Sequence, residues 1–277
     1  MRKIAVLFVS LVLAFAFASC GNSTDGEKIE VKVFAAASLT SVMDEFETEY
    51  EAENPNVDIV LSTDSSGVLM QQIEEGAPCD IFFCAGQSQM DELEGKGMVV
   101  DGTRQNVVNN QLVVITQPDS ETKVTGLENL GDASSLALCD GSVPVGKYTR
   151  RALVNIGTLD KTDTPEAYTT DEVSKALGGV EISEQGNVSK VLSAIEEGSC
   201  EVGTTYYSDT YGHEEKIKIL QTVDYEVAGD IIYPIASISN EDASDAEISA
   251  AADFLAYITN DAAKEKYSSY LFDVNVE

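Results

Sequence analysis

Positive charge is scarce in this chain of 277 residues: 17 Lys and Arg stand against 48 Asp and Glu, a formal net charge of −31 at pH 7. A phosphate backbone needs a basic patch, so nucleic acid is excluded as a partner. The balance describes instead a solvated, aggregation-resistant surface. It also means that an anionic ligand must be held by local dipoles and hydrogen bonds, against an unfavourable long-range field. Histidine is nearly missing. His213 stands alone, in a polar Gly-His-Glu-Glu stretch that reads as a surface loop, and no motif supports it as part of a Ser-His-Asp device. Neither Gly-x-Ser-x-Gly nor a phosphate loop is present. There is no CxxC and no Cys/His cluster. Cys79, Cys84, Cys139 and Cys200 read as buried free thiols acting as small apolar residues, although an exported protein could pair them. Cys79 and Cys84 flank one strand too closely to pair easily within it.

Long apolar runs are also few. The single one lies at the start, where Arg2 and Lys3 precede Ile4 to Phe17, followed by Ala18, Ser19 and Cys20. A basic start, a run too short to span comfortably and small residues before a cysteine read as a secretory signal, residues 1–19. The sequence Phe17-Ala-Ser-Cys20 resembles a bacterial lipobox, in which Cys20 becomes the lipidated first residue. It departs at Phe17, where Leu is usual. The alternative is an uncleaved anchor with Cys20 a bystander. Residues 20–28 are small, polar and unpatterned, a tether between membrane and folded body. One lipidated residue anchors a chain without spanning the membrane. Loss of the leader removes two basic residues and no acidic ones, so the mature chain is more acidic still.

The remainder is long enough for one large or two ordinary domains. Short strand patterns alternate with amphipathic helix patterns. Strands are expected at 29–35, 57–62, 80–84, 110–116, 136–139, 201–206 and 231–238. Helices are expected after Ser38 and at 68–75, 90–94, 147–156, 188–197, 246–258 and 262–270. The segment 161–186 has few apolar anchors and is expected to be irregular. This alternation predicts an α/β fold with largely parallel sheets. The stretches from Ile73 (IEEGAPCDIFF) and Ile195 (IEEGSCEVGTT) are alike, each reading as helix, glycine stop, turn and buried strand. Two similar α/β halves would look like this, although any helix-to-strand junction uses glycine and small residues.

Four helix starts carry chemistry. In Val31 to Thr40 (VKVFAAASLT) an apolar strand stops at Ser38, and Leu39, Val42, Met43, Phe46 and Tyr50 then mark one helix face. Ser38 is expected at or beside an N-cap, where unpaired amides and the helix dipole converge and can hold an anion without a cation. Thr63 to Gly67 (TDSSG) repeats the pattern, with Ser65 or Ser66 capping the next helix and Gly67 admitting close approach to the backbone. Val143 to Tyr148 (VPVGKY) places Pro144 in a first helical turn, and Asn187 caps a fourth helix. Each alone is an ordinary helix start. Four such starts at the carboxyl ends of parallel strands point to a ligand there, and amides converging on one point suit a small oxyanion.

Phe34 to Thr40 (FAAASLT), Gln72 to Asp80 (QIEEGAPCD), Val143 to Gly146 (VPVG) and Thr205 to Asp209 (TYYSD) resemble, in order and spacing over essentially the whole mature chain, the periplasmic molybdate-binding proteins of ABC importers. The resemblance implies the two-lobed type II periplasmic-binding-protein fold. Each lobe would be a mixed, mostly parallel sheet flanked by helices, and crossover strands would form the hinge. Lobe one would hold 28–111 and 231–277, and lobe two 112–230. It implies that Ser38 and Ser66 give a hydroxyl and an amide to the oxyanion, Val145 and Val188 each an amide, and Tyr206 its phenol. The departures are Asp64-Ser-Ser-Gly67, where more Ser is common, Val145, where Ala is common, and Cys139-Asp-Gly. Asp64 is expected to face solvent or cap a helix, since a carboxylate beside an oxyanion is costly.

The function implied is capture of molybdate or tungstate outside the cytoplasm by a lipid-anchored monomer, and delivery to an ABC permease. No enzymatic activity, cofactor or direct protein–metal ligand is implied, since molybdenum would enter only as its oxyanion. A donor-only lining would reject protonated oxyanions such as most phosphate at neutral pH. Three alternatives stand beside this one. They are a receptor for sulfate or another tetrahedral oxyanion, an exported hydrolase of oxyanion esters, and a thiol protein using Cys79 and Cys84.

Overall fold

The computed structural model describes residues 28–276. The leader 1–19, Cys20 and the tether up to residue 27 lie outside them. Among the described residues, no helix is long and apolar enough to cross a membrane. The strands are β1 Ile29–Ala36, β2 Val57–Asp64, β3 Ile81–Phe83, β4 Gln105–Val108, β5 Leu112–Thr116, β6 Ser135–Cys139, β7 Glu181–Gln185, β8 Val202–Tyr206, β9 Lys218–Thr222 and β10 Tyr233–Ser237. The α-helices are α1 Thr40–Glu53, α2 Ser66–Glu74, α3 Gln87–Gly95, α4 Pro144–Asn155, α5 Thr170–Ala176, α6 Val188–Glu196, α7 Tyr225–Ala228, α8 Asp245–Thr259 and α9 Asp261–Ser269.

The strands form two five-stranded sheets, ordered β2-β1-β3-β10-β4 and β7-β6-β8-β5-β9. In the first, β1 runs parallel to β2 and β3, while β10 is antiparallel to β3 and β4. The second repeats this, with β6 parallel to β7 and β8 and β5 antiparallel to β8 and β9. In each sheet four strands therefore run one way and one against. The two like stretches found in the sequence occupy equivalent places, α2 into β3 and α6 into β8.

Burial follows the predicted faces. Helix α1 buries Val42, Met43, Phe46 and Tyr50. Its rings meet the C-terminal helices, Tyr50 at 4.9 Å from Phe254 and Phe46 at 5.1 Å from Tyr267 between centroids. Such pairs add to the area they bury. The central strands β3 and β8 are buried at every residue; β3 (IFF) is accordingly apolar throughout, while β8 (VGTTY) buries two threonines.

The segment 161–186 is more ordered than its composition suggests. It holds α5, started by a reciprocal Thr169–Glu172 capping box, and the strand β7. Helix α5 buries only Val173, and β7 is the exposed edge of its sheet. Neither needs the apolar pattern that marks a buried element. The unpredicted strands β4 and β9 are likewise sheet edges.

The chain passes between the sheets at 109–111 and 229–232, and these crossings lie side by side. The Asn109 side-chain oxygen accepts the Ile231 amide at 2.7 Å and the Asn110 amide at 2.8 Å, while its Nδ2 donates to Asp230 at 2.9 Å. The turn from β6 to α4 is equally tight: a Cβ on Gly146 would lie 1.8 Å from the Asp140 carbonyl oxygen and 2.6 Å from that of Cys139. Backbone atoms cannot yield as a flexible side chain would. Gly146→Ala is therefore expected to lower stability by about 2–3 kcal/mol, measured by chemical denaturation. A change under half a kilocalorie would show that the turn has slack.

Candidate oxyanion-binding site

Each sheet sends two chain segments into helix starts on the same side, from β1 and β2 in one and from β6 and β7 in the other. These four starts meet. One small cavity is lined by Ala37, Ser38, Ser65 and Ser66 from the first sheet's turns and by Val145, Asn187 and Val188 from the second's. Tyr206, at the end of β8, completes the wall. The cavity volume is about 10 Å³, about the room one water-sized sphere needs and far below ordinary organic-ligand pockets. None of the lining residues carries a charged side chain. Ser38, Ser66, Val145, Val188 and Tyr206, singled out in the sequence, thus border one cavity.

Ser38 lies beside the α1 N-cap, Leu39, as expected, inside a single 3-10 turn, Ala37–Leu39, and neither start has a side-chain cap. The Ser38 hydroxyl lies 2.9 Å from that of Tyr233. At the second start, Ser65 is the cap and accepts the Val68 amide at 3.4 Å, while the Ser66 oxygen accepts the Ala85 amide at 2.9 Å. Both serine oxygens are therefore engaged by backbone donors, and both hydroxyl hydrogens are left to give. Asn187 caps α6 as expected, accepting the Lys190 amide at 3.1 Å. Val145 and Val188 lie in the first turns of α4 and α6, where amides have no intrahelical acceptor.

Asp64 is half-buried, does not cap α2, whose cap is Ser65, and does not line the cavity. One carboxylate oxygen accepts the Ser65 amide at 2.7 Å and the Asn187 Nδ2 at 3.0 Å. The second bond ties the two halves together. A Cβ on Gly67 would lie 3.3 Å from the Ser142 carbonyl across the same junction, so the close approach expected of Gly67 is to the other half's backbone.

Tyr206 carries the feature that most directly points to a ligand. It is 1% exposed, and its phenolic oxygen has no hydrogen-bond partner among the described residues. Buried polar groups are nearly always paired, and an unpaired one carries a desolvation cost. Burial, with the nearby Tyr233, pushes its phenol well above its ordinary range, so it remains a donor. Beneath it, Asp209 accepts the Tyr206 amide at 2.9 Å and the Thr205 hydroxyl. Burial raises the Asp209 carboxyl from 3.8 to about 6, with these two hydrogen bonds pulling the other way.

The competing chemistries find little support here. His213 pairs through Nδ1 with Glu196 and does not line the cavity. Cys79, Cys84, Cys139 and Cys200 are buried free thiols, and burial pushes Cys84 up to about 12, which disfavours the reactive thiolate. Tyr233 and Asn110 are the polar residues near the site that the sequence did not reveal. Tyr233 bonds to Ser38 across 195 residues of chain and Asn110 to Tyr233 across 123, beyond any local pattern.

Two similar halves that meet around a small cavity lined by hydrogen-bonding groups and no charged side chain have the architecture of a solute-binding protein. Over residues 31–272 the chain matches the bacterial extracellular solute-binding proteins, and it belongs to that family. It is 32% identical over 283 residues to the molybdate-binding protein ModA of Escherichia coli (strain K12), spanning 99% of each chain. It is 26% identical over 276 residues to YvgL of Bacillus subtilis (strain 168), named as an ABC transporter substrate-binding lipoprotein, with 98% of each chain covered. The periplasmic molybdate-binding protein of Azotobacter vinelandii has a similar fold, with a TM-score of 0.72 at 20% identity over 89% of this chain and all of that one.

Tyr206→Phe removes an unpaired buried hydroxyl. It is expected to raise the stability of the ligand-free protein by about 1 kcal/mol, and a clear loss in denaturant titration would show that the hydroxyl has a structural partner. Asp209 gives a pH signature. Its folded-state pKa lies above its unfolded one, so the native state binds the extra proton and stability declines as pH rises from about 4 to about 6. Asp209→Asn is expected to flatten that decline in denaturation midpoints, and an unchanged slope would assign it to other groups.

Proposed function

We propose that this chain binds molybdate, and tungstate with it, outside the cytoplasm and delivers the anion to an ABC permease. The unpartnered Tyr206 hydroxyl in a cavity without charged side chains is the observation that carries the reading. Ser38 and Ser66 would donate hydroxyls and amides, Val145 and Val188 amides, and Tyr206 its phenol. A dianion is stabilised by such charge-assisted bonds and by the helix dipoles behind them. Sulfate, the smaller tetrahedron, would leave some donors unpaired, each at a cost.

The lobes would be 28–111 with 231–277 and 112–230, hinged where the chain crosses, and would bind as a monomer without catalysing a reaction. The similarity to a relative named as a lipoprotein supports a lipid anchor at Cys20, with the leader 1–19 removed. Isothermal titration calorimetry with molybdate, tungstate and sulfate tests the reading: sub-micromolar binding of the first two, and sulfate at least about 100-fold weaker, about 2.8 kcal/mol. Tight sulfate binding without molybdate binding would replace it with a sulfate receptor. Tyr206→Phe is expected to weaken molybdate binding by about 1–3 kcal/mol, and an unchanged affinity would remove Tyr206 from the site.

A further inference from the structure

The Ser38 hydroxyl is held by a hydrogen-bond chain that reaches the crossing between the lobes. Asn110 sits at that crossing, and its side-chain oxygen accepts the backbone amides of Gln111 at 2.9 Å and Ser208 at 3.3 Å. Backbone amides can only donate, so this end of the side chain is the oxygen, and the other end is the NH₂ group. That NH₂ group donates to the Ser208 hydroxyl at 2.8 Å and to the Tyr233 phenol at 3.1 Å. Tyr233 is fully buried. Its polar neighbours are the Asn110 NH₂ group, which cannot accept, and the Ser38 hydroxyl at 2.9 Å. The phenolic hydrogen must therefore point at Ser38, because a buried hydroxyl hydrogen without an acceptor is costly. Burial keeps that phenol protonated, its pKa lying well above the ordinary value. The Ser38 oxygen then accepts, and its own hydrogen is released to the cavity it lines.

We propose that Asn110, acting through Tyr233, sets the direction of this chain and so makes Ser38 a hydrogen-bond donor to a fully deprotonated tetrahedral oxyanion. The inference rests on the oxyanion reading above. Asn110 and Tyr233 are positioning residues here, since neither lines the cavity. Ser38 joins Ser65 and Ser66 in a common arrangement. Each oxygen is engaged by a donor from the protein, and each hydrogen is left for the ligand. Ser65 and Ser66 obtain this from backbone amides within the fold, whereas Ser38 obtains it from a side-chain relay anchored on two backbone amides at the crossing.

The experiment is to reverse the chain and then cut it. In Asn110→Asp the new carboxylate accepts from Tyr233. The phenol oxygen then accepts the Ser38 hydrogen, and Ser38 turns lone pairs to the cavity. Tyr233→Phe cuts the chain and leaves Ser38 free to donate without being preset. Molybdate is titrated calorimetrically into wild type, Asn110→Asp, Tyr233→Phe and the double variant, with melting of each ligand-free protein as the folding control. Asn110→Asp is expected to lose about 100-fold in affinity and Tyr233→Phe about 10-fold or less. The double variant should recover to near the Tyr233→Phe value, since the reversed relay no longer exists. A double variant as weak as Asn110→Asp would overturn the relay in favour of charge repulsion or hinge damage.

If Asn110→Asp does not fold, Ser38→Ala and Tyr233→Phe form a second cycle. The relay requires the Tyr233→Phe loss to vanish in the Ser38→Ala background, and additive losses would overturn it. Wild type that binds no tetrahedral oxyanion would instead sink the functional reading, whatever the variants do.

Discussion

An anion bound by a protein this acidic has to be held by fixed dipoles, and fixed dipoles act only where the backbone has been brought into place. That constraint organises the molecule. A single helix start offers a few amides and part of a macrodipole charge, worth about 1 kcal/mol or less at a surface. Four starts bordering one small cavity act in surroundings less polar than a surface, where each bond is stronger. The two sheets supply them by repeating one device, a helix start after the inner strand and another after its neighbour. Neither sheet can surround an ion alone. Both halves are thus needed to line the cavity, and the Asp64–Asn187 bond at 3.0 Å joins the second helix start of one half to that of the other.

What was legible in the sequence follows from what is local. The face of α1, the strands β1 and β2, Asn187 as a cap and the close approach at Gly67 are written in short-range periodicity and in residue types with one physical use. The edge strands β4, β7 and β9 were not legible, since an edge half exposed to water need not carry an apolar pattern. Ser38 shows the other limit. Its place on the cavity wall was readable from the strand-to-helix junction. Its 3-10 turn was not, and neither was its Tyr233 partner, because the pair is created by the order of strands in the sheet. The resemblance carried the residues that line the cavity further than it carried the residues packed behind them.

The site is also where the fold accepts local disadvantage. Tyr206 holds a buried hydroxyl without a partner, and Asp209 beneath it is buried enough for its carboxyl to titrate near 6. Both features oppose folding of the ligand-free chain at neutral pH. They sit next to one another at the end of β8, inside a molecule whose buried aromatic core is well packed around α1, α8 and α9. Binding a ligand that accepts from Tyr206 would convert the first disadvantage into affinity, which links ligand occupancy to stability.

The acidic residues nearest the cavity show how an anion can be tolerated beside them. Asp64 and Asp209 lie within a residue or a few of lining positions, yet each turns its carboxylate away and uses it as an acceptor for the frame. Asp64 takes the Ser65 amide and the Asn187 side chain, and Asp209 takes the Tyr206 amide and the Thr205 hydroxyl. Carboxylates that would repel a ligand if they faced it instead orient the donors that face it. Asn110 serves in the same way without a charge, because its oxygen is anchored on two backbone amides and its NH₂ group points toward the site. Repulsion from the exposed carboxylates is screened over about 8 Å at physiological ionic strength. On the proposed reading, selectivity would be decided by hydrogens whose directions are set one layer behind the cavity wall, where fit and protonation state would count for more than net charge.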